Sequence, residues 1–88
     1  MPAITVGLPA ALTAPQPARD VPCEASTIGE ALTAVVDQAP QYRQRIFYGD
    51  RLLVVVTLNG KHLPPAAVRE TRLAAGDHVE ILLPVAGG

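Results

Sequence analysis

The residues with the clearest chemical potential stand at the end of the 88-residue sequence, where Gly87 and Gly88 form a diglycine. Glycine has no Cβ, so two glycines are the thinnest thread that a chain can offer to another protein's narrow active site. The last five residues, Pro84, Val85, Ala86, Gly87 and Gly88, reach at most roughly 17 Å when extended. The carboxylate of Gly88 is therefore the group whose chemistry we expect to matter. A diglycine alone is weak support, because chance gives such an ending to about one chain in 200.

Other side chains with chemical potential do not form a site by their spacing. Cys23 stands in a predicted strand, where a lone cysteine is usually a small buried hydrophobe. His62 and His78 have no cluster of acidic or cysteine residues at metal-ligand spacing around them. We therefore predict neither a metal site nor a catalytic residue in this chain.

Composition limits the classes of protein to which the chain can belong. It is 49% hydrophobic and 17% charged, which predicts one small folded domain with an aliphatic core. The net charge of −1 and the lack of a basic stripe argue against nucleic-acid binding. A single cysteine favours a reducing, cytoplasmic setting, and no apolar run approaches the ~20 residues that span a membrane. One basic loop, with Arg43, Arg45 and Arg51, is expected to be solvated, and contact with an acidic partner is the alternative.

The first quarter of the sequence predicts two strands joined by a loop. Residues 3–8 are apolar and partly β-branched, which indicates a strand. Two prolines make residues 13–17 a turn or loop. Residues 19–24 alternate weakly and predict a second strand, which Pro22 places at a sheet edge because proline cannot donate a ladder hydrogen bond.

One helix follows these strands. Thr27 and Glu30 fit a capping box, and apolar residues then recur at helical spacing. Proline at position 40 ends the pattern, so we predict a helix at residues 28–39.

The second half of the sequence predicts a hairpin and a last strand. Residues 41–51 are predicted to form a loop with room for a short helical turn. Residues 52–58 give the strongest strand signal, and the pair Asn59-Gly60 then predicts a tight turn into a short strand at residues 61–63.

The last strand is predicted at residues 78–83, with Val79, Ile81 and Leu83 on one face. A right-handed crossover would place the first and last strands side by side. We therefore predict an α+β, β-grasp (ubiquitin-like) domain at residues 1–83. It would have a mixed sheet of four to five strands, one main helix across one face, and a flexible tail at residues 84–88.

Three short segments add a resemblance to this pattern, at residues 58–61, 73–81 and 83–88, which read LNGK, LAAGDHVEI and LPVAGG. They look like the ThiS and MoaD family of ubiquitin-like sulfur-carrier proteins. The matching motifs are the diglycine and the Gly76-Asp77 turn before the last strand. The sharp match covers about the last third of the chain.

The resemblance implies a chemistry for the terminal carboxylate. An E1-like adenylyltransferase and sulfurtransferase, which holds ATP and Mg, would attach AMP to Gly88. Sulfur would then replace AMP and leave a thiocarboxylate, while Pro84, Val85, Ala86 and Gly87 thread into the partner's site. The chain would be a protein co-substrate, would bind no cofactor itself and would not be an enzyme.

The resemblance leaves the sulfur acceptor open. It could be a PLP-dependent sulfhydrylase of cysteine or natural-product biosynthesis, the large subunit of molybdopterin synthase, or a thiazole synthase. Many molybdopterin-type members have two prolines before the final valine, whereas this chain has Leu83-Pro84. Two other functions also stay open: a β-grasp interaction module that is never activated, and a ubiquitin-like modifier that is joined to lysines.

A docking patch is predicted beside the tail. Leu82 should point away from the face of Val79 and be exposed, so we expect Leu82 and Leu83 to contact the partner enzymes. A single exposed leucine is the ordinary alternative.

Overall fold

A mixed five-stranded sheet, helices on one of its faces and a separate two-stranded hairpin make up residues 1–84, the part of the chain that the computed structural model describes. The helices are α1 (Ala10–Thr13), α2 (Ile28–Gln38) and α3 (Arg43–Ile46), with 3₁₀ turns at Pro40–Tyr42 and Pro65–Ala67. The strands are β1 (Ala3–Leu8), β2 (Arg19–Glu24), β3 (Phe47–Tyr48), β4 (Arg51–Leu52), β5 (Val55–Leu58), β6 (Lys61–His62) and β7 (His78–Leu82).

The sheet has the order β2-β1-β7-β5-β6, and its central strands are the first and the last of the chain. β1 and β7 run parallel, with Thr5 opposite His78, and the other pairs are antiparallel. This confirms the predicted neighbourhood of the first and last strands and the α+β, β-grasp fold. Since β7 is antiparallel to β5, its carboxyl end lies beside the start of β5.

The core lies between the sheet and α2. Alternate residues of each strand face inward, and α2 contributes one apolar stripe at helical spacing. The main buried contributors are Ile4, Val6, Leu8, Val21, Val56, Val79 and Ile81 from the sheet and Ile28, Ala31, Leu32, Val35 and Val36 from α2. The core is aliphatic, as predicted, and Tyr42 is its buried aromatic residue.

The capping box at the start of α2 is confirmed in slightly different form. Thr27 Oγ1 accepts a hydrogen bond from the Glu30 amide at 3.2 Å. Glu30 Oε1 in turn accepts from the amide of Ser26 at 2.8 Å, one residue before the N-cap. α2 ends at Gln38, one residue earlier than predicted, because Pro40 starts a 3₁₀ turn.

The loop predicted at residues 13–17 is confirmed from Ala14 onward, but a short helix that was not predicted precedes it. α1 covers residues 10–13 and buries Leu12 in the core. In the loop predicted at residues 41–51, α3 confirms the expected short helical turn, whereas β3, which pairs with β4 across the Gly49-Asp50 turn, was not predicted.

The predicted strand at residues 52–58 is wrong as a single element. Leu52 belongs to β4 and pairs with Phe47, whereas β5 begins only at Val55 and pairs with β7. The two residues between them, Leu53 and Val54, redirect the chain from one sheet to the other.

Two strand ends are also corrected. β6 stops at His62 and β7 stops at Leu82, each one residue short of the prediction. Leu83 lies beyond β7 and is 37% exposed, so it does not join the buried row of Val79 and Ile81.

Two further findings concern the whole described chain. The predicted tail at residues 84–88 lies outside the described residues except for Pro84, which is exposed. Within residues 1–84 no helix has the length and apolar character needed to cross a membrane.

Candidate functional site

The carboxyl end of β7 carries an apolar patch, which we call the tail base and define as Leu53, Val55, Leu82 and Leu83. Leu82 pairs with Val55, and both are half-buried on the sheet face opposite α2. Leu83 and Leu53 follow and precede this pair along the chain, and each is 37% exposed. The surface from which the chain continues toward the diglycine is therefore apolar, and two of its four side chains are exposed.

The predicted site residues fall into two groups. Gly88, Gly87, Ala86 and Val85 lie outside the described residues, so their roles stay predictions. The expected exposure of Leu82 is corrected, since it is half-buried beside its cross-strand partner Val55, while Leu83 is exposed.

The opposite end of β7 is fixed by hydrogen bonds between two turns. Asn59, at a positive φ of 51°, accepts from the His78 amide at 2.9 Å and donates to Asp77 Oδ1 at 3.1 Å. Asp77 Oδ2 accepts from the Ala74 amide at 2.8 Å. These two donors, the Ala74 amide first and the Asn59 amide second, lower the pKa of Asp77 below its ordinary 3.8. The network fixes where β7 starts and so where it ends.

A polar cluster that the sequence analysis missed lies on the open face of the sheet. Gly7 of β1 forms its floor, because a Cβ there would lie 3.1 Å from Glu80 Cγ, 3.2 Å from His78 Nε2 and 3.3 Å from Asp20 Oδ1. His78 Nε2 lies 3.4 Å from Glu80 Oε1. A cavity of about 120 Å³ opens beside Gly7, Asp20 and Glu80. The sequence could have indicated that His78 and Glu80 share one face of a strand, because they are two residues apart. It could not have placed Asp20 beside them, since that depends on the order of the strands.

This cluster does not amount to a metal centre. Across residues 1–84 no three His, Cys, Asp or Glu side chains are arranged to hold a metal ion. His62 lies exposed on β6 and apart from Cys23, which is on the far edge strand β2.

Cys23 is half-buried and packs against the core. Burial raises the pKa of its thiol, which keeps it protonated and weakly nucleophilic at neutral pH. The geometry thus supports the structural interpretation of Cys23 rather than a sulfur relay.

Comparison with protein families decides the wider relationship. The family model described as the ThiS family matches residues 9–88, which is nearly the whole chain. The chain belongs to the ThiS family. The match extends far beyond the last third in which the resemblance was sharp, and it includes the diglycine. A comparison with curated protein sequences gave no match.

Solved structures agree with this assignment. The chain is similar to the small archaeal modifier protein SAMP1 from Methanosarcina acetivorans, with 28% identity over 100% of this chain and 98% of that one and a TM-score of 0.81. A chain of the BexX/CysO complex from Amycolatopsis orientalis shares 24% identity, with 98% and 100% covered and a TM-score of 0.77.

A third structure extends the likeness of fold. It is a chain of the complex of subunits 1 and 2 of the molybdopterin-converting factor from Helicobacter pylori, with 19% identity, 98% and 99% covered and a TM-score of 0.61. Members of this ThiS family therefore share the β-grasp fold with small modifiers and with proteins that assemble with partner proteins. Small carriers of this kind are generally not enzymes.

Proposed function

We propose that this chain is a sulfur carrier whose working group is the carboxylate of Gly88. The observation that carries the proposal is the family match, which runs through the final diglycine at residues 87–88. The exposed, apolar tail base directly before that segment supports it, because a partner can contact Leu83 while it receives the residues that follow.

The proposed chemistry begins with activation of a poor electrophile. A Gly88 carboxylate oxygen attacks the α-phosphorus of ATP, pyrophosphate leaves, and a mixed anhydride with AMP forms. A sulfur nucleophile delivered by the activating enzyme then replaces AMP, and a thiocarboxylate remains. Mg²⁺ neutralises the phosphate charge in such steps, and both ATP and Mg²⁺ belong to the E1-like activating enzyme.

In this proposal the chain is a co-substrate and supplies no acid, base or nucleophile besides its own terminus. Its side chains provide recognition. The Leu82–Val55 pair and exposed Leu83 offer an apolar contact of the kind that partner proteins bury. The cytoplasm, where thiols stay reduced, is the compartment that suits this chemistry.

Three classes of enzyme are candidates for the final sulfur acceptor. A PLP-dependent sulfhydrylase, the large subunit of a molybdopterin synthase and a thiazole synthase would each take sulfur from the same thiocarboxylate. The fold is common to carriers of all these kinds, so the acceptor must be identified by capture. We propose a pull-down with the thiocarboxylated chain and mass spectrometry of the bound proteins.

Intact-mass analysis tests the first steps. The chain is incubated with the activating enzyme of its source organism, ATP, Mg²⁺ and a sulfide source. We expect a mass change that corresponds to exchange of one oxygen for one sulfur. A variant that lacks Gly88 is the matched control and should not change. An unmodified wild-type chain under conditions in which the enzyme is active would contradict the proposal.

A second candidate function is covalent modification of other proteins. The structural relative from Methanosarcina acetivorans, at 28% identity, is named a small archaeal modifier protein. Conjugation would use the same acyl-adenylate, with a lysine amine in place of sulfur. Proteomic detection of a Gly-Gly remnant on lysines, absent from cells that express the chain without Gly88, would support this function.

A further inference from the structure

The hairpin of β3 and β4 lies next to the tail base. β4 leads into β5 through Leu53 and Val54, and the first residue of β5, Val55, pairs with Leu82 at the end of β7. The open end of the hairpin therefore lies at the end of the sheet where β7 finishes, while its turn at Asp50 is held by Arg69, whose carbonyl accepts the Gly29 amide at the start of α2. α1 is also at this end, since it follows β1, which runs parallel to β7.

α3 and the hairpin that follows it are together rich in exposed arginine. Arg43, Arg45 and Arg51 are exposed, and Asp50 is the acidic residue among them. Within residues 1–84 the contact within 4.0 Å between a basic side chain and a carboxylate is that of His78 with Glu80, so none of these arginines has a described carboxylate at that distance. The remainder of the chain carries seven of the eight acidic residues, and the positive charge is thus local.

The hairpin is held in place rather than loosely attached. The guanidinium of Arg69 lies 5.4 Å from the centre of the Phe47 ring and also donates to the carbonyl of Asp50. The Leu53 amide donates to the Ile46 carbonyl at 2.8 Å, and Arg45 donates to the carbonyl of Leu12 in α1. A surface that is ordered before binding loses less entropy when a partner docks.

Tyr48 is the residue that the fold does not explain. It is 77% exposed at the tip of the hairpin and lies opposite Arg51 in the β3–β4 pairing. Tyrosine and arginine are the side chains most enriched at interface hot spots. Phe47 is the aromatic residue of the hairpin that packs against the core, whereas the Tyr48 ring is left to solvent.

We propose that Arg43, Tyr48 and Arg51 form a docking surface for an acidic patch on the activating enzyme, beside the entrance through which that enzyme takes the tail. This inference rests on the proposed function. The inference deepens the proposed function by assigning two separate contacts. The apolar tail base would bind the partner next to the end of the chain, and the surface of Arg43, Tyr48 and Arg51 would orient the rest of the domain. Charge complementarity speeds and orients association, which suits a co-substrate that must bind and leave repeatedly.

The test measures ATP–pyrophosphate exchange by the activating enzyme as a function of carrier concentration. The variant is Arg43→Glu/Arg51→Glu, and the matched control is Lys61→Glu/Arg72→Glu, which makes the same change of charge at the far end of the sheet. We expect the KM for the hairpin variant to rise about tenfold or more, because charge steering changes association rates by roughly 10- to 1,000-fold. The kcat and the KM of the control should stay near wild type.

Three further readouts keep the outcomes distinct. Circular dichroism verifies that both variants fold, and Arg43→Gln/Arg51→Gln should give an intermediate KM if charge is the cause. The KM of wild type should rise with ionic strength more steeply than that of the hairpin variant. Equal KM values for the hairpin and control variants would overturn the docking surface, as would RNA binding that the hairpin variant alone loses. A wild-type chain that supports no exchange at all would instead refute the proposed function.

Discussion

Asp77 is the residue at which two turns of the fold are joined. It receives hydrogen bonds from the Ala74 amide and from the Asn59 side chain, and it directly precedes β7. Sequence analysis identified Asp77 and Gly76 as a turn, because these residue types favour turns locally. It could not identify Asn59 as the partner, because that contact joins positions 18 residues apart.

The lowered pKa of Asp77 predicts a pH-dependent contribution to stability. The ionised carboxylate stabilises the folded state above its ordinary pKa of 3.8, and this contribution is lost as the pH falls through the lower native value. We expect the difference in Tm between wild type and Asp77→Asn to be largest above about pH 5 and to shrink toward about pH 2. Thermal unfolding across this range measures it. Asp37→Asn removes a charge from the exposed face of α2, and equal pH profiles for both variants would contradict the assignment.

Gly29 makes a close backbone contact at the start of α2. A Cβ at this position would lie 3.0 Å from the carbonyl oxygen of Arg69, which also accepts the Gly29 amide at 3.0 Å. Alanine normally favours a helix by about 1 kcal/mol over glycine. Here we expect Gly29→Ala to lower the free energy of unfolding by about 1 to 2 kcal/mol, because the methyl group must displace backbone.

Urea unfolding checks the prediction for Gly29. Thr33→Ala, on the exposed face of the same helix, is the control and should be neutral or slightly stabilising. A more stable Gly29→Ala variant would mean that the loop at Arg69 can move away without cost.

At the scale of elements, the local pattern of apolar residues predicted β1, β2 and the start of α2 well. Each of these elements has its own periodicity and is bounded by proline or by turn and capping residues. The pattern failed at residues 52–58, which are all apolar except Thr57 and contain no turn residue. Nothing in such a run indicates that Leu52 pairs with Phe47 while Val55 pairs with Leu82. The division depends on distant partners, so tertiary pairing overrides local propensity there.

The β3–β4 hairpin gives the prediction that belongs to this scale. Arg69→Ala removes the cation–π contact with Phe47 and the hydrogen bond to Asp50. We expect amide hydrogen exchange at Leu53 to become roughly tenfold faster, while the Leu63 amide, which donates to Val56 in the other hairpin, is unchanged. Arg72→Ala is the matched control. Equal acceleration at both amides would mean that Arg69 stabilises the whole fold rather than the hairpin.

At the scale of the whole molecule, stability and the proposed activity depend on different residues. Among residues 1–84 the buried hydrophobic core runs from Ile4 to Ile81, whereas the proposed chemistry needs Gly88. The proposed reacting group could be named from the sequence alone because the diglycine is a local motif that does not depend on the fold. The hairpin beside the tail base could not be predicted, since only the β5–β7 register brings it there.

A pair of variants tests this separation. Removal of Gly88 should abolish adenylation and leave Tm unchanged. Ile81→Ala should lower the free energy of unfolding by about 2 to 5 kcal/mol, because Ile81 is fully buried in the core. Molecules of this variant that remain folded should still be adenylated with the wild-type kcat. Mass spectrometry and chemical unfolding give the two readouts, and a large loss of Tm without Gly88 would contradict the separation.

The place of β7 has a consequence for synthesis of the protein. β7 comes last among the strands along the chain, yet it lies between β1 and β5. Those two neighbours are synthesised first, and in the folded sheet they are joined only through residues 78–82. A nascent product that stops earlier keeps open strand edges, which proteases and chaperones recognise. A closed sheet therefore requires a chain that includes residues 78–82, the strand that leads to the proposed reacting group.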